Sequence, residues 1–123
     1  MAQTSWPFEN ADTTETQYSA LFAKLQTTGV DGDQNGNDLK VSANAGMTIN
    51  VASGFAIVRG FAYQSTATEA LTIAAAGAQP RIDLVILRLD PTANSIQLLV
   101  KQGTPAASPS APALTQNAGA VWE

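Results

Sequence analysis

Histidine and cysteine are both missing from the chain, and these two absences remove much of enzyme chemistry. Ser-His-Asp and Cys-His nucleophiles, the usual zinc sites, iron–sulfur clusters and disulfides all require one or both residues. Positive charge is scarce as well: six Lys and Arg stand against ten Asp and Glu, for a net charge of -4. Phosphate recognition needs clustered cations, so neither nucleic acid nor an anionic membrane is an expected partner. No apolar run approaches the roughly 20 residues of a spanning helix. The N-terminal "MAQTSWPFENAD" lacks the basic start and apolar core of a signal peptide. These features predict a soluble, cytoplasmically made protein that is not an enzyme, carries no cofactor and does not insert into membranes.

What is present suits one domain. A length of 123 residues with 45% apolar and 13% charged content is enough for a single core. Three parts are expected: an arm over residues 1–11, a helix plus β-sandwich domain over 12–102, and a Pro-rich extended segment over 103–123. In the arm, Trp6 and Phe8 flank Pro7. They belong either to a disordered leader or to an arm whose aromatics anchor in a neighbour.

"DTTETQYSALFAKLQTTG" predicts an amphipathic helix over residues 13–27. Asp12 would be its N-cap, Glu15 stands three residues on, and Gly29 would end it. Tyr18, Leu21, Phe22 and Leu25 form the stripe expected to pack on a sheet. From residue 39 the period switches to two. The inward residues would be Leu39, Val41 and Ala43, then Met47, Ile49 and Val51. "GFAIVRGFAY" places Phe55, Ile57, Phe61 and Tyr63 on one face, with Arg59 among them, and the small residues on the other. Gly60 marks either a close approach or a bulge.

"RIDLVILRLD", residues 81–90, is apolar on both faces if it is a strand: Val85, Leu87 and Leu89 on one side, Ile82, Leu84 and Ile86 on the other. Such a strand needs two covering surfaces. "DPTANS" is a turn by composition, and "IQLLVKQ" is the next strand. Five or six short strands after one helix predict a mainly β fold, an antiparallel β-sandwich. "GTPAASPSAPALTQNAGA", with Pro105, Pro109 and Pro112, predicts an extended run across the sheet. The closing "VWE" reads as the front of a longer polypeptide.

Two groups resemble sites. In "DGDQNGND", Asp31, Asp33 and Asn35 followed by Gly36 match the first half of a calcium loop. Ser42 stands where the bidentate Glu belongs, and a strand follows where a helix is required, so a plain turn without metal is expected. Arg59, Arg81, Asp83, Arg88 and Asp90 could hold a carboxylate or a sugar, but they fit better as cross-strand or interface pairs. No two carboxylates stand out as a glycosidase pair.

Four segments carry a resemblance: "DTTETQYSALFAKLQTTGV", "LKVSANAGMTINVASGFAIVRGFAY", "LTIAAAGAQPRIDLVILRLDP" and "VKQGTPAASPSAPALTQNAGAVWE". Together they resemble the N-terminal domain of minor tail proteins of long-tailed bacteriophages, particularly those of actinobacterial hosts. The "PRID" to "LRLD" string and the "GTPAASP" to "PALT" segment are the most specific parts; the acidic 31–38 loop has no counterpart. The resemblance implies a virion protein at the tail tip or baseplate. It would be an attachment module for fibre or receptor-binding parts, a trimer beside other tail proteins, and would reach host glycans through parts beyond Glu123.

An interface is expected at Leu84, Val85, Ile86, Leu87, Pro105, Pro109, Pro112, Trp6 and Phe8, because a two-faced strand needs a second cover and a proline segment loses little entropy on docking. The rival expectation is a carbohydrate-binding β-sandwich, with Trp6, Tyr63 or Trp122 as its aromatic platform.

Overall fold

The computed structural model describes residues 3, 5, 12–32, 36–117 and 120–123. Among them the chain is mainly β, with one helix ahead of eight short strands. Helix α1 spans Glu15–Leu25. Its cap is Thr14, two residues later than the expected Asp12, because Thr14 and Gln17 complete a capping box. The Gln17 N–H donates to the Thr14 hydroxyl (3.2 Å), and the Thr14 N–H donates to the Gln17 side-chain oxygen (3.0 Å). Glu15 in the first turn and Lys24 in the last complement the helix dipole. The helix stops before Gly29, with Gln26 already extended as its C-cap.

The strands are β1 (Gly29–Val30), β2 (Val41–Ala43), β3 (Thr48–Val51), β4 (Gly54–Val58), β5 (Phe61–Ser65), β6 (Glu69–Thr72), β7 (Leu84–Asp90) and β8 (Ser95–Lys101). They form three antiparallel sheets of order β1-β4-β5, β2-β3-β6 and β7-β8. "GFAIVRGFAY" is a hairpin rather than one strand. Arg59 (φ 50°) and Gly60 (φ 84°) make its two-residue turn, and positive φ at both positions is the form that matches strand twist. Ala56 pairs with Tyr63 and Val58 with Phe61, so the turn reverses the expected facing. Ala56 and Val58 are buried, while Phe55 and Ile57 are only half-buried.

Among the described residues the buried apolar side chains are few: Val51, Ala56, Val58, Ile86 and Leu89. Ile86 (7% exposed) and Leu89 (6%) point to opposite faces of β7, so each face is covered at one position within its own chain, while the other residues of the strand stay half-buried. One edge of β7 pairs with β8 over its whole length. Its other edge receives Trp122 in a two-bond bridge: the Leu89 N–H donates to Trp122 O (2.8 Å), and the Trp122 N–H donates to Leu89 O (3.1 Å). The Trp122–Glu123 end therefore folds back onto the sheet.

The expected orientation of α1 is overturned. Its buried residue is Ser19, not the apolar stripe; Tyr18, Leu21, Phe22 and Leu25 remain 37–72% exposed. The cause lies in the hairpin turn, because Gly60 sits against the backbone of Ser19 so closely that a Cβ would overlap its carbonyl. Only a face of small residues allows that approach. Val41 and Met47, expected inward, are also exposed, and every residue of β2 faces solvent.

Candidate docking surface

Three features built by this fold bear on function. The first is the outer ridge of α1. Tyr18, Leu21 and Leu25 follow a 3-then-4 spacing, which puts them in one line with Phe22 alongside. The Tyr18 and Phe22 rings stack with centroids 6.4 Å apart and planes within 15°. Because Gly60 fixes the opposite face, the ridge cannot roll inward.

The second is an apolar groove of about 400 Å³ where the three sheets converge. Leu84 to Leu87 of β7, Val51 and Ile57 line it, and Val30, Val41 and Leu114 stand exposed along it. Its margins include β1 and β2, each of which, among the described residues, pairs on one edge only. The structure thus brings together four of the expected interface residues, with Ile86 buried and Leu84, Val85 and Leu87 half-buried. The prolines lie outside the lining: Pro105 is exposed, and Pro109 and Pro112 are half-buried. Trp6 and Phe8 lie outside the described residues.

The third is a pair of charge locks. The Glu123 side chain is fully enclosed and accepts from Arg88 Nε (2.9 Å), from the Thr115 N–H (2.8 Å) and from Lys101 Nζ. Burial pushes its carboxyl up, but the hydrogen bonds from Lys101, Thr115 and Arg88 outweigh it and lower the pKa to about 2. Asp83 accepts from Arg81 Nε (2.9 Å) and the Gly103 N–H (2.8 Å), which hold it below the usual carboxylate range. Arg81 also donates to the Ala74 and Ala75 carbonyls. The "PRID" string is therefore a clamp that joins residues 74–83 to the start of the Pro-rich segment, where the Ala106 N–H donates to Pro80 O (3.0 Å).

Arg59 lies over the Trp122 ring, with its guanidinium carbon 3.7 Å from the centroid, at the edge of a cleft of about 610 Å³ between α1 and the sheet. Its N–H donates to the Thr28 hydroxyl (3.0 Å), which helps to offset the cost of positive φ at a non-glycine residue. Asp90 accepts from the Thr92 and Ala93 amides and so organises the 91–94 turn. In the acidic loop Asp31 is exposed, while Asp33 and Asn35 lie outside the described residues. Among the described residues no three His, Cys, Asp or Glu side chains gather as a metal site, and no helix is long and apolar enough to cross a membrane.

Sequence reasoning missed the ridge, the Arg59–Trp122 stack and the Glu123 lock. The first carried a signal, Gly60 in a two-residue turn between two apolar runs; the others join residues 63 and 35 positions apart and have no local signature. In comparisons with known proteins, the chain matches no family model, no curated protein and no solved structure.

Proposed function

We propose that this chain is a non-enzymatic structural protein of a long-tailed bacteriophage, acting at the tail tip or baseplate. There it docks fibre or receptor-binding parts to the tail for host adsorption. It works as a homo-oligomer, a trimer in keeping with the resemblance, and contacts other tail proteins. The phage context comes from the four resembling segments. The observation that supports a docking role is the placement of apolar surface: of nine large hydrophobic side chains exposed among the described residues, four form the α1 ridge and three border the groove. Apolar surface gathered in this way serves lasting protein contacts rather than turnover of a small polar substrate. We read the three sheets as a sandwich, its layers facing one another across the groove.

The carbohydrate reading has less support, because the Arg59 guanidinium occupies a face of Trp122 that a sugar would need and Tyr63 is half-buried. Antibodies raised against the domain, coupled to gold, test the proposal. They should decorate the distal end of the tail on particles of the phage that encodes the chain. Labelling elsewhere, or none on intact particles, overturns the tail-tip reading. Specific binding of the chain on a glycan array would replace it with the carbohydrate reading.

A further inference from the structure

The backbone of β7 points to a strand-acceptor site: we infer that one extended, uncharged segment of a partner protein pairs with the open edge of β7 at Leu87 and Val85. The inference deepens the docking proposal and rests on its claim that the chain holds other proteins.

The Leu89 N–H and C=O both bond to Trp122, so they face away from β8. Alternate residues of an antiparallel strand turn their backbone groups to the same edge, so those of Leu87 and Val85 face that way too. Among the described residues, β7 has no strand partner other than β8, and Leu89 is the only residue of its second edge that is bridged. Leu84, Val85, Ile86 and Leu87 all line the groove. Successive side chains of a strand alternate between faces, so a groove that meets four in a row runs along the strand's edge.

The end of the chain shows how a strand fits there. Trp122 is bridged antiparallel to Leu89 on one side and to Gln116 on the other, and the Glu123 N–H donates to Thr115 O (3.1 Å). Trp122 is thus the middle of three extended segments. Carried on past Glu123, the same register sets a strand residue between Leu87 and Leu114, and both of these line the groove. The groove therefore prolongs the line that Trp122 and Glu123 begin.

An occupant of that line needs both of its own edges open. Each of the eight strands of this chain already has at least one edge paired within its sheet, so none of them, offered by a second copy, meets the requirement. An unpaired segment of a partner does. The lining sets its composition: Val30, Val41 and Leu114 stand exposed along the groove, and its one carboxylate, Glu123, is already held by Arg88 and Lys101. Main-chain hydrogen bonds would supply affinity, and alternate side chains specificity.

The test uses the isotope-labelled full chain and a capped hexapeptide of alternating Thr and Val at millimolar concentration. The peptide should slow exchange of the Leu87 and Val85 amides by about tenfold, and the same peptide methylated on its backbone nitrogens should not. Leu114→Glu, at an exposed position, should abolish the protection with unchanged circular dichroism, whereas Leu25→Glu on α1 should preserve it. Should Leu114→Glu fail to fold, Val41→Glu replaces it.

Equal protection by the methylated peptide would mean apolar contact without strand pairing, and would overturn the inference. So would no protection by either peptide, or Leu87 and Val85 amides that exchange as slowly as that of Ile86 in the free chain. Self-association of the free chain that Leu114→Glu abolishes would give the groove to a second copy and overturn it as well. Loss of tail-tip labelling with the protection intact would instead overturn the phage reading alone.

Discussion

At the Leu89 end of the β7–β8 ribbon the chain completes itself. Ile86 and Leu89 are buried on the two faces of β7, its second edge is bridged at Leu89 by Trp122, and Glu123 meets Arg88, Lys101 and the Thr115 amide. Helix α1 does the reverse: it offers Ser19 to the body of the protein and leaves Tyr18, Leu21, Phe22 and Leu25 in water. The two regions differ in what each touches rather than in how apolar they are. The two-faced strand is buried at one position on each face and half-buried elsewhere, whereas the one-faced helix is covered on its polar side only. The exposed apolar surface, expected on the strand from its sequence, lies mainly on the helix and the groove mouth.

Substitutions can break or sharpen this contrast. The largest effect is expected from Ile86→Asp, which puts an unpaired charge into the core and should cost more than about 4 kcal/mol, enough to unfold the domain. Circular dichroism together with light scattering reads the outcome. Folded subunits that merely fail to assemble would show that this face of β7 is an interface after all. Next comes Glu123→Gln, which weakens hydrogen bonds from two cations; a loss of about 2–3 kcal/mol in urea unfolding is expected.

Acid tests the same lock. The folded pKa of Glu123, about 2, lies below its ordinary 4.5, and that of Asp83 is lowered too. The stability these groups contribute is therefore fully present above pH 4.5 and is lost as pH falls toward 2. The melting temperature of the unmutated chain should drop through that window, and that of Glu123→Gln should drop less. At the helix the effects are smaller. Thr14→Ala removes the cap and should cost about 1 kcal/mol. Leu25→Ser should change the stability of the subunit by no more than about 0.5 kcal/mol.

Much of the fold was legible from short-range pattern. The helix, the β-rich remainder, strands near residues 84–90 and 95–101, and the 91–94 turn all follow from periodicity and turn residues, and the structure has them. The β-strand faces around residues 54–63 were misread because the alternation was carried through Arg59-Gly60 as if the chain did not reverse there. The helix stripe was misread for a different reason: amphipathic spacing says which face is apolar, not which face a neighbouring backbone admits. Gly60 decides the second question, and its contact with Ser19 lies 41 positions away in the chain. The Glu123 lock could not be anticipated at all, since Arg88 and Lys101 look like ordinary strand-end charges until Trp122 and Glu123 fold back.

The Arg59-Gly60 turn has a consequence for the order in which the chain folds. The β4–β5 hairpin closes through two residues and is among the fastest pairings available to the chain. Its tip receives α1 from one end of the sequence through Gly60 and Trp122 from the other through Arg59. Neither terminal segment has this landing place until the turn exists. Pulse-labelled hydrogen exchange during refolding should therefore protect the β4–β5 amides first and the Leu89 amide, which bonds to Trp122 O, later. Helix α1 and Trp122 then dock only after a dipeptide in the middle of the chain has turned.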